Sequence, residues 1–328
     1  MSARLAAVAG RGAALAPAPL LERARLVEAL RLELRTRRSS AVRGAALVLH
    51  AVAAAGGERR LEIDPPFASE RLDALAGYLT RRYRLVRAAE LPESARARQA
   101  GQRVPVVITF DDDLASHHEV AAPILRRHGA VATAFLCGAR QPFWWQWLQA
   151  AVDAGTIDEA ALAPVPAAIA LPALRRRPGA IGALAKAIED LSPEQRDAIG
   201  ARLRRAVDPP PAPLSPQAAA QLAAGGWEIG FHTRRHDLLT ALDDDALHDA
   251  LERGRDDVSP ATPRTLAYPH GKATAREARA AHAARYVAAY TGRAEVLTEH
   301  TDVHLIGRLQ PQDATLGRIA LQLARALA

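Results

Sequence analysis

Three neighbouring carboxylates are the first residues of this chain that could do chemistry. Asp111, Asp112 and Asp113 follow an apolar and β-branched run over residues 104–110. Such a run is typical of a strand that is buried on both faces. Because an ionised aspartate is almost never left unpaired in a core, the strand must open into a polar site at its end. An acidic turn that caps the next helix would explain the carboxylates equally well.

The second group is a pair of histidines, His232 and His236, which are four residues apart. Side chains at i and i+4 lie on one face of a helical turn, close enough to bind one ion. A strand-like run over residues 227–231 leads into the pair, so this group also lies beyond a strand end. A histidine pair at this spacing, taken alone, more often has a structural role than a metal-binding role.

Together, Asp112, His232 and His236 supply three nitrogen and oxygen ligands. That set predicts a catalytic metal site, because structural zinc sites close with four protein ligands and are rich in cysteine. The one cysteine, Cys137, excludes an internal disulfide and a zinc site built on thiolates. Its place after an apolar run favours a buried, inert thiol.

Several motifs, in this order, resemble those of the NodB-type polysaccharide deacetylases, carbohydrate esterase family four. They are Thr-Phe-Asp-Asp at residues 109–112, His-Thr-x-x-His at 232–236, Tyr-Pro-His-Gly at 268–271 and Gly-Arg at 307–308. The resemblance covers roughly residues 45–325. Strands that alternate with helices already favour a parallel sheet or barrel with its site at the C-terminal strand ends. The resemblance implies a distorted (β/α)7 barrel.

The resemblance also implies an activity and roles for residues. Asp112, His232 and His236 would hold a divalent metal, with zinc expected and cobalt, nickel or manganese compatible with the same ligands. Asp111 would be the general base. The implied reaction is hydrolysis of an N-acetyl group on a sugar or sugar-containing metabolite, by a water that the metal activates.

Two departures from the family pattern concern the surroundings of the base. Asp113 stands where the family usually has glycine, and could tighten or recharge the rim of the site. Ala267 occupies the place where many members carry an arginine that orients the base. Arg308 is the candidate substitute.

The donor of a proton to the leaving amine is left open by the sequence. His270, His300 and His304 are the candidates, and the backbone N–H of His270 is expected to help hold the oxyanion. His117 and His118 are interpreted as surface residues at the start of a helix.

Four residues are predicted to contact the substrate. His50 ends the first predicted strand and is expected to line the pocket, although a hydrogen-bonded structural histidine would fit as well. Trp144 and Trp145 could form a wall on which a sugar stacks, with a core cluster as the alternative. Tyr268 is assigned to the substrate site by the third motif.

Composition places the chain among ordinary globular proteins, with 328 residues, 49% hydrophobic and 24% charged. We expect an N-terminal helical extension over residues 1–43 and a deacetylase-like barrel over residues 44–328. Residues 139–214 are the part least like the family, and their proline- and alanine-rich composition predicts a helical insertion that shapes substrate choice.

The predicted N-terminal helix has an apolar face at spacings of three and four. Its members are Leu20, Ala24, Val27, Leu30 and Leu34. We expect this face to dock on the barrel, with a membrane surface or a partner helix as the alternative.

The formal charge of +7 comes almost entirely from arginine. The basic residues are spread along the chain, so a nucleic acid partner is not expected, whereas an anionic sugar phosphate or nucleotide sugar would suit the charge. No run of about 18 apolar residues is present, and glycines at residues 10 and 12 interrupt any secretory segment. We therefore expect no transmembrane segment and a cytoplasmic location.

The sequence is also compatible with other functions. A hydrolase of a non-sugar amide, or a lapsed enzyme that binds metal and sugar without turnover, would also explain the Asp-His-His set. A basic nucleic-acid binder, with affinity that falls steeply with salt, would not explain it. The sequence does not distinguish a polymeric, lipid-linked or small acetylated substrate.

Overall fold

The computed structural model describes residues 18–58, 60–139, 141–157, 159–259, 261–311 and 314–328. Its strands, in chain order, are β1 (Ala45–Leu49), β2 (Val52–Ala53), β3 (Phe67–Ala68), β4 (Arg84–Leu85), β5 (Pro105–Asp111), β6 (Thr133–Leu136), β7 (Glu228–Phe231), β8 (Thr265–Ala267) and β9 (Ala288–Tyr290). Strands β1, β5, β6, β7, β8 and β9 lie side by side in that order, all parallel. Strand β4 pairs with the start of β5, and β2 pairs with β3.

Helices connect these strands and cover the outside of the sheet. They are α1 (Ala18–Arg38), α2 (Ser69–Arg82), α3 (Leu91–Arg96), α4 (Ala122–Arg127), α5 (Trp144–Ala154), α6 (Ala167–Leu174), α7 (Ala180–Glu189), α8 (Pro193–Ala206), α9 (Pro216–Ala224), α10 (Asp244–Glu252), α11 (Ala275–Ala283) and α12 (Leu316–Leu327). Every residue of β5 is buried, as its β-branched and apolar run predicts for a strand covered on both faces.

The two edges of the sheet are joined by residues 306–309. Ile306 bridges to Tyr290 at the end of β9, and Leu309 bridges to Leu47 in β1, both in parallel. Six strands and this bridging segment therefore close a seven-membered ring, which confirms the predicted distorted (β/α)7 barrel. Because all the strands run in one direction, their C-terminal ends meet at one edge.

The chain between β6 and β7 is largely helical, and its first four helices are α5 to α8. These helices have an apolar core of their own, to which Trp147, Leu184 and Ile199 contribute. Helix α8 begins after Ser192, whose side chain accepts a hydrogen bond from the backbone N–H of Gln195. The predicted helical insertion is therefore present, and the domain boundaries given above remain predictions.

Helix α1 is present but docks through a different face from the predicted one. Ala29, Glu33 and Thr36 are buried, while Leu20 and Leu34 are exposed. The first 17 residues of the predicted extension lie outside the described residues. The prediction of the docking face was wrong because the docked side combines Ala29, with Leu26 and Leu32 packed against the same core, and a buried carboxylate that an apolar pattern does not mark.

The buried carboxylate is that of Glu33. It accepts hydrogen bonds from the hydroxyls of Tyr78 and Tyr83, the latter at 3.1 Å, and lies 3.5 Å from Nε of Arg82. Within the part of the chain that the structure describes, no helix has the length and apolar character needed to cross a bilayer.

Candidate metal centre and active site

Asp112, His232 and His236 lie together at the C-terminal ends of β5 and β7. Their ligand atoms all lie within 4.8 Å of one another, and all three residues are buried. Asp112 Oδ1 is 3.7 Å from His232 Nε2 and 3.5 Å from His236 Nε2. The structure therefore brings together the three side chains that the sequence suggested as metal ligands.

The hydrogen bonds around these side chains fit a bound cation. His232 Nδ1 lies 2.8 Å from the carbonyl oxygen of Ala267, which places the proton on Nδ1 and leaves Nε2 free as a ligand. Asp112 Oδ1 is buried without a hydrogen-bond partner among the described residues, an arrangement that is costly unless a cation lies beside it. Burial, reinforced by Asp111, raises the pKa of Asp112 to about 8. The set can therefore hold a divalent metal, which would favour the charged carboxylate.

The backbone at this site is turned by residues with positive φ. Asp112 has φ of 71°, and Thr233, His236 and His270 have φ of 60°, 52° and 59°. Residues that carry a Cβ rarely adopt this region, and such conformations cluster at functional sites. The turn at Asp112 lets both Asp111 and Asp112 face one site, which a continuing strand would not allow.

Arg308 forms a bidentate ion pair with Asp111. Arg308 Nη1 lies 2.6 Å from Asp111 Oδ1 and Nη2 lies 2.7 Å from Oδ2, and both side chains are almost fully buried. Arg308 also donates to the carbonyl of Thr291 and the hydroxyl of Thr109. Burial alone would raise the pKa of Asp111, but the Arg308 guanidinium holds it at about 2. Arg308 thus occupies the place predicted for the substitute arginine.

The site opens into a pocket of about 460 Å³. Trp144 and Trp145, at the start of α5, form one wall, with ring centroids 5.8 Å apart and planes at 87°. Trp145 stacks on Phe143 at 4.3 Å and lies 4.8 Å from the ring of His236. Both tryptophans that were predicted to contact substrate therefore line the pocket, beside a candidate metal ligand.

His50 and Asp64 lie in the same pocket. His50 Nδ1 is 3.8 Å from Asp64 Oδ1. Burial would lower the pKa of His50, but Asp64, Asp112 and Asp111 together raise it above its usual value. Asp64 was not predicted, because it lies in the loop between β2 and β3, where no motif or strand end marks it.

His270 also lines the pocket. Its Nε2 is 3.3 Å from the carbonyl oxygen of His236, and its Nδ1 is 3.2 Å from Glu189 Oε1. Burial lowers the pKa of His270. Glu189, at the end of α7, also binds Lys272 at 3.0 Å. Glu189 was not predicted, because it lies in the segment that is least like the family.

A comparison with protein families matches part of this chain. The family model described as polysaccharide deacetylase matches residues 193–289, a segment that contains both candidate histidine ligands. The predicted resemblance to the NodB-type polysaccharide deacetylases is confirmed over this segment. A comparison with curated proteins finds no match.

Solved structures of deacetylases share the fold. The Streptococcus pyogenes deacetylase PplD, in complex with acetate, is 14% identical with a TM-score of 0.58, over 88% of this chain and 99% of that chain. A polysaccharide deacetylase from Bacillus cereus is 13% identical with a TM-score of 0.54, over 87% of this chain and 69% of its own. IcaB from Ammonifex degensii is 16% identical with a TM-score of 0.51, over 86% and 97%. At such identities the similarity establishes the barrel fold.

Some residues predicted for the deacetylase site lie elsewhere. Tyr268 is 0% exposed and donates its hydroxyl to the carbonyl of His304 at 2.8 Å, so the prediction that it contacts substrate was wrong. His304 is buried with Nε2 against the carbonyl of Tyr286, and His300 is exposed. Neither histidine lines the pocket. His117, expected at the surface, is buried beside the ring of Phe110.

Asp113, which replaces the usual glycine of the family, does not line the pocket. Its carboxylate accepts backbone N–H bonds from Cys137 at 3.3 Å, Gly138 at 3.2 Å and Ala139 at 2.9 Å. The expectation that Asp113 recharges the rim was therefore wrong. It ties the end of β5 to the turn after β6, the neighbouring strand.

Replacing Asp113 with alanine is expected to destabilise the fold by about 2–4 kcal/mol, because several buried N–H donors lose their acceptor together. The free energy of unfolding from urea titration measures this loss. Asp113→Asn, which keeps one carbonyl oxygen, should cost less than Asp113→Ala. Equal stability of Asp113→Ala and the wild type would show that the three hydrogen bonds contribute nothing.

Proposed function

We propose that the chain is a metal-dependent deacetylase that hydrolyses an N-acetyl group on a saccharide. The observation that carries this proposal is the bidentate pair of Asp111 and Arg308, directly beside the buried Asp112, His232 and His236 set. The matching family and the fold support it. PplD, the relative in complex with acetate, holds the acid that such a hydrolysis would release.

In this proposal, Asp112, His232 and His236 hold the metal. When bound, a divalent ion supplies Lewis acidity at the acetyl carbonyl and lowers the pKa of water toward neutrality. Two imidazoles and one carboxylate suit zinc, and also cobalt, nickel or manganese. The tautomer of His232, fixed by the carbonyl of Ala267, keeps a lone pair on Nε2 for this purpose.

Asp111 is assigned as the acceptor of the proton from the attacking water. Its pKa of about 2 keeps it ionised at neutral pH but makes it a weak base. Its contribution therefore rests on position, because Arg308 fixes both carboxylate oxygens and Oδ2 lies 3.9 Å from His232 Nε2. Orientation of this kind removes an entropic part of the barrier.

His50 is assigned as the donor of a proton to the leaving amine. It lines the pocket beside Asp64, and its raised pKa keeps it protonated closer to neutral pH. His270, the candidate from the sequence, fits less well. Its Nε2 faces the carbonyl of His236, and burial lowers its pKa.

This assignment predicts the alkaline side of the pH–rate profile. Turnover should fall as pH rises through the pKa of His50, because a neutral imidazole at this position no longer donates the proton. Of the groups that raise this pKa, Asp64 acts most strongly, with Asp112 and Asp111 next, while burial and Arg308 lower it. Asp64→Asn should therefore move the alkaline limb to lower pH.

The matched control for this prediction is Glu189→Gln, which removes another pocket carboxylate but one that contacts His270 rather than His50. It should leave the alkaline limb in place. If Asp64→Asn keeps the limb of the wild type while metal content is unchanged, His50 is not the proton donor.

The charges of the pocket favour an uncharged saccharide. Among the described residues that line it are four carboxylates, whereas its one permanent cation is Arg308, which is bound to Asp111. Apart from the proposed metal and a protonated His50, a phosphate or carboxylate on the substrate would thus meet Asp64 and Glu189 without an unpaired arginine or lysine in the described lining. The anionic substrate that the net charge of the chain suggested is not supported by this pocket.

Acetate release tests the proposal directly. Zinc- and cobalt-loaded protein would be assayed on neutral N-acetylated sugars, short chito-oligomers and nucleotide sugars, with Asp112→Ala as the inactive control. Release from neutral saccharides that chelation abolishes is the expected result. If no acetate is released although stoichiometric metal is bound, the protein is instead a hydrolase of a non-sugar amide or a catalytically inactive homologue of such enzymes. No release and no bound metal would refute the proposed centre.

A further inference from the structure

The outward face of α1 carries an exposed apolar stripe. Leu20, Val27 and Leu34 are 56%, 49% and 45% exposed, and the only other exposed large apolar residue among those described is Leu61. A spacing of seven residues places the three on one side of the helix. The helix has 21 residues and is about 30 Å long, so the stripe extends along much of its length.

The acidic residues of α1 are all paired with other elements of the fold. Glu22 accepts hydrogen bonds from the backbone N–H of Gly317 and the hydroxyl of Thr315, at the start of α12. Glu28 pairs with Arg325 at 2.7 Å. Glu33 is buried against the hydroxyls of two tyrosines. Glu28 is exposed three residues from Arg31, but its carboxylate is bound to Arg325, so no carboxylate of α1 is left unpaired beside the outward arginines.

That outward face is basic. Arg23, Arg31 and Arg38 each lie three or four residues from a member of the apolar stripe, which places them on the same side of the helix. All three are exposed, and none has an ion-pair partner within the described residues. Arg35, also exposed, is four residues from Arg31 and adds to this charge.

We infer that this face of α1 binds the surface of a bilayer that contains anionic lipid. The leucines and valine would enter the boundary between head groups and acyl chains, and the guanidinium groups would bind lipid phosphates. Long arginine side chains can reach the phosphates while the apolar residues beside them stay buried. The binding is peripheral and reversible, because the stripe contains only three large apolar residues.

Other occupants fit this face less well. A second copy of the chain would bring Arg23, Arg31 and Arg38 against the same residues of its partner, and like charges in contact disfavour association. A nucleic acid would bind the arginines but would leave the apolar stripe exposed. This inference does not depend on the proposed deacetylase activity.

Vesicle flotation of the full chain tests the inference. The chain is expected to float with vesicles of phosphatidylglycerol and phosphatidylcholine, to remain unbound with phosphatidylcholine alone, and to dissociate as salt rises. Replacing Leu20, Val27 and Leu34 together with serine should abolish flotation. Replacing Arg23, Arg31 and Arg38 with glutamine should weaken it roughly a hundredfold.

Leu61→Ser is the matched control, because it removes the exposed apolar residue that lies outside α1, and it should float like the wild type. All the changed side chains are exposed, so thermal unfolding should be unaltered. Absence of flotation of the wild type would overturn the inference. Equal flotation of the triple serine variant and the wild type would also overturn it, and would indicate a purely electrostatic contact with a polyanion.

Discussion

Replacing Asp112 with alanine is expected to remove bound divalent metal and deacetylation together. Asp112 Oδ1 faces Nε2 of both His232 and His236, so the variant would leave two neutral imidazoles without the carboxylate that completes the set. Two imidazoles alone bind a divalent ion much more weakly than three convergent ligands. We expect metal content near zero by elemental analysis and a loss of turnover of at least about a thousandfold.

A second prediction for Asp112→Ala concerns the thermal stability of the metal-free protein. Asp112 is buried, and burial raises its pKa to about 8, so without metal this carboxylate opposes folding at higher pH. Metal-free Asp112→Ala should therefore unfold at an equal or higher temperature than metal-free wild type, since an uncompensated buried polar group is removed. Addition of zinc should raise the melting temperature of the wild type but not of the variant.

Asp113→Asn provides the matched control, since Asp113 is the adjacent buried carboxylate but binds backbone N–H groups outside the pocket. It should keep stoichiometric metal. Retention of both metal and turnover by Asp112→Ala would exclude Asp112 as a ligand. Loss of metal in Asp113→Asn as well would mean that the test reports general disruption of the strand end.

The metal set could be predicted because its members lie beyond two strand ends: Asp112 directly follows β5, His232 directly follows β7, and His236 is four residues further on. Apolar runs ending at Phe110 and Phe231 locate two strand ends, and parallel strands bring their ends to one edge of the barrel. The periodicity of the sequence alone does not predict Arg308 as a site residue. Arg308 lies between Ile306 and Leu309, which bridge the two edges of the sheet as isolated pairs. This segment is too short to give a strand signal, and only the family resemblance suggested Arg308.

The failed predictions have physical causes. Tyr268 belongs to the third motif, but a residue at a strand end can point to the core or to the pocket, and its hydroxyl finds a buried acceptor in the carbonyl of His304. Asp64 and Glu189 reach the pocket from a loop and from the insertion, where no family motif or strand end marks them. The docking face of α1 was missed because the polar residues Glu33 and Thr36 are buried on it together with Ala29.

Asp111→Asn is expected to keep the metal while lowering kcat by about 10²–10⁴-fold, the usual contribution of a positioned general base. The asparagine has the shape of the aspartate and leaves Asp112, His232 and His236 unchanged, but it cannot take a proton from water. Acetate release and metal content, measured on the same preparation, test both parts. An Asp111→Asn variant with the turnover of the wild type would exclude Asp111 as the base.

A loss of stability could imitate this result, because Asp111→Asn leaves the buried guanidinium of Arg308 without its counter-charge. The double variant Asp111→Asn with Arg308→Met removes that uncompensated charge and should recover part of the lost melting temperature. If the carboxylate is needed as a base, the double variant remains inactive although its stability and metal content recover. If turnover returns with stability, the effect of Asp111→Asn was structural, and the proton of the attacking water must go to another group in the pocket.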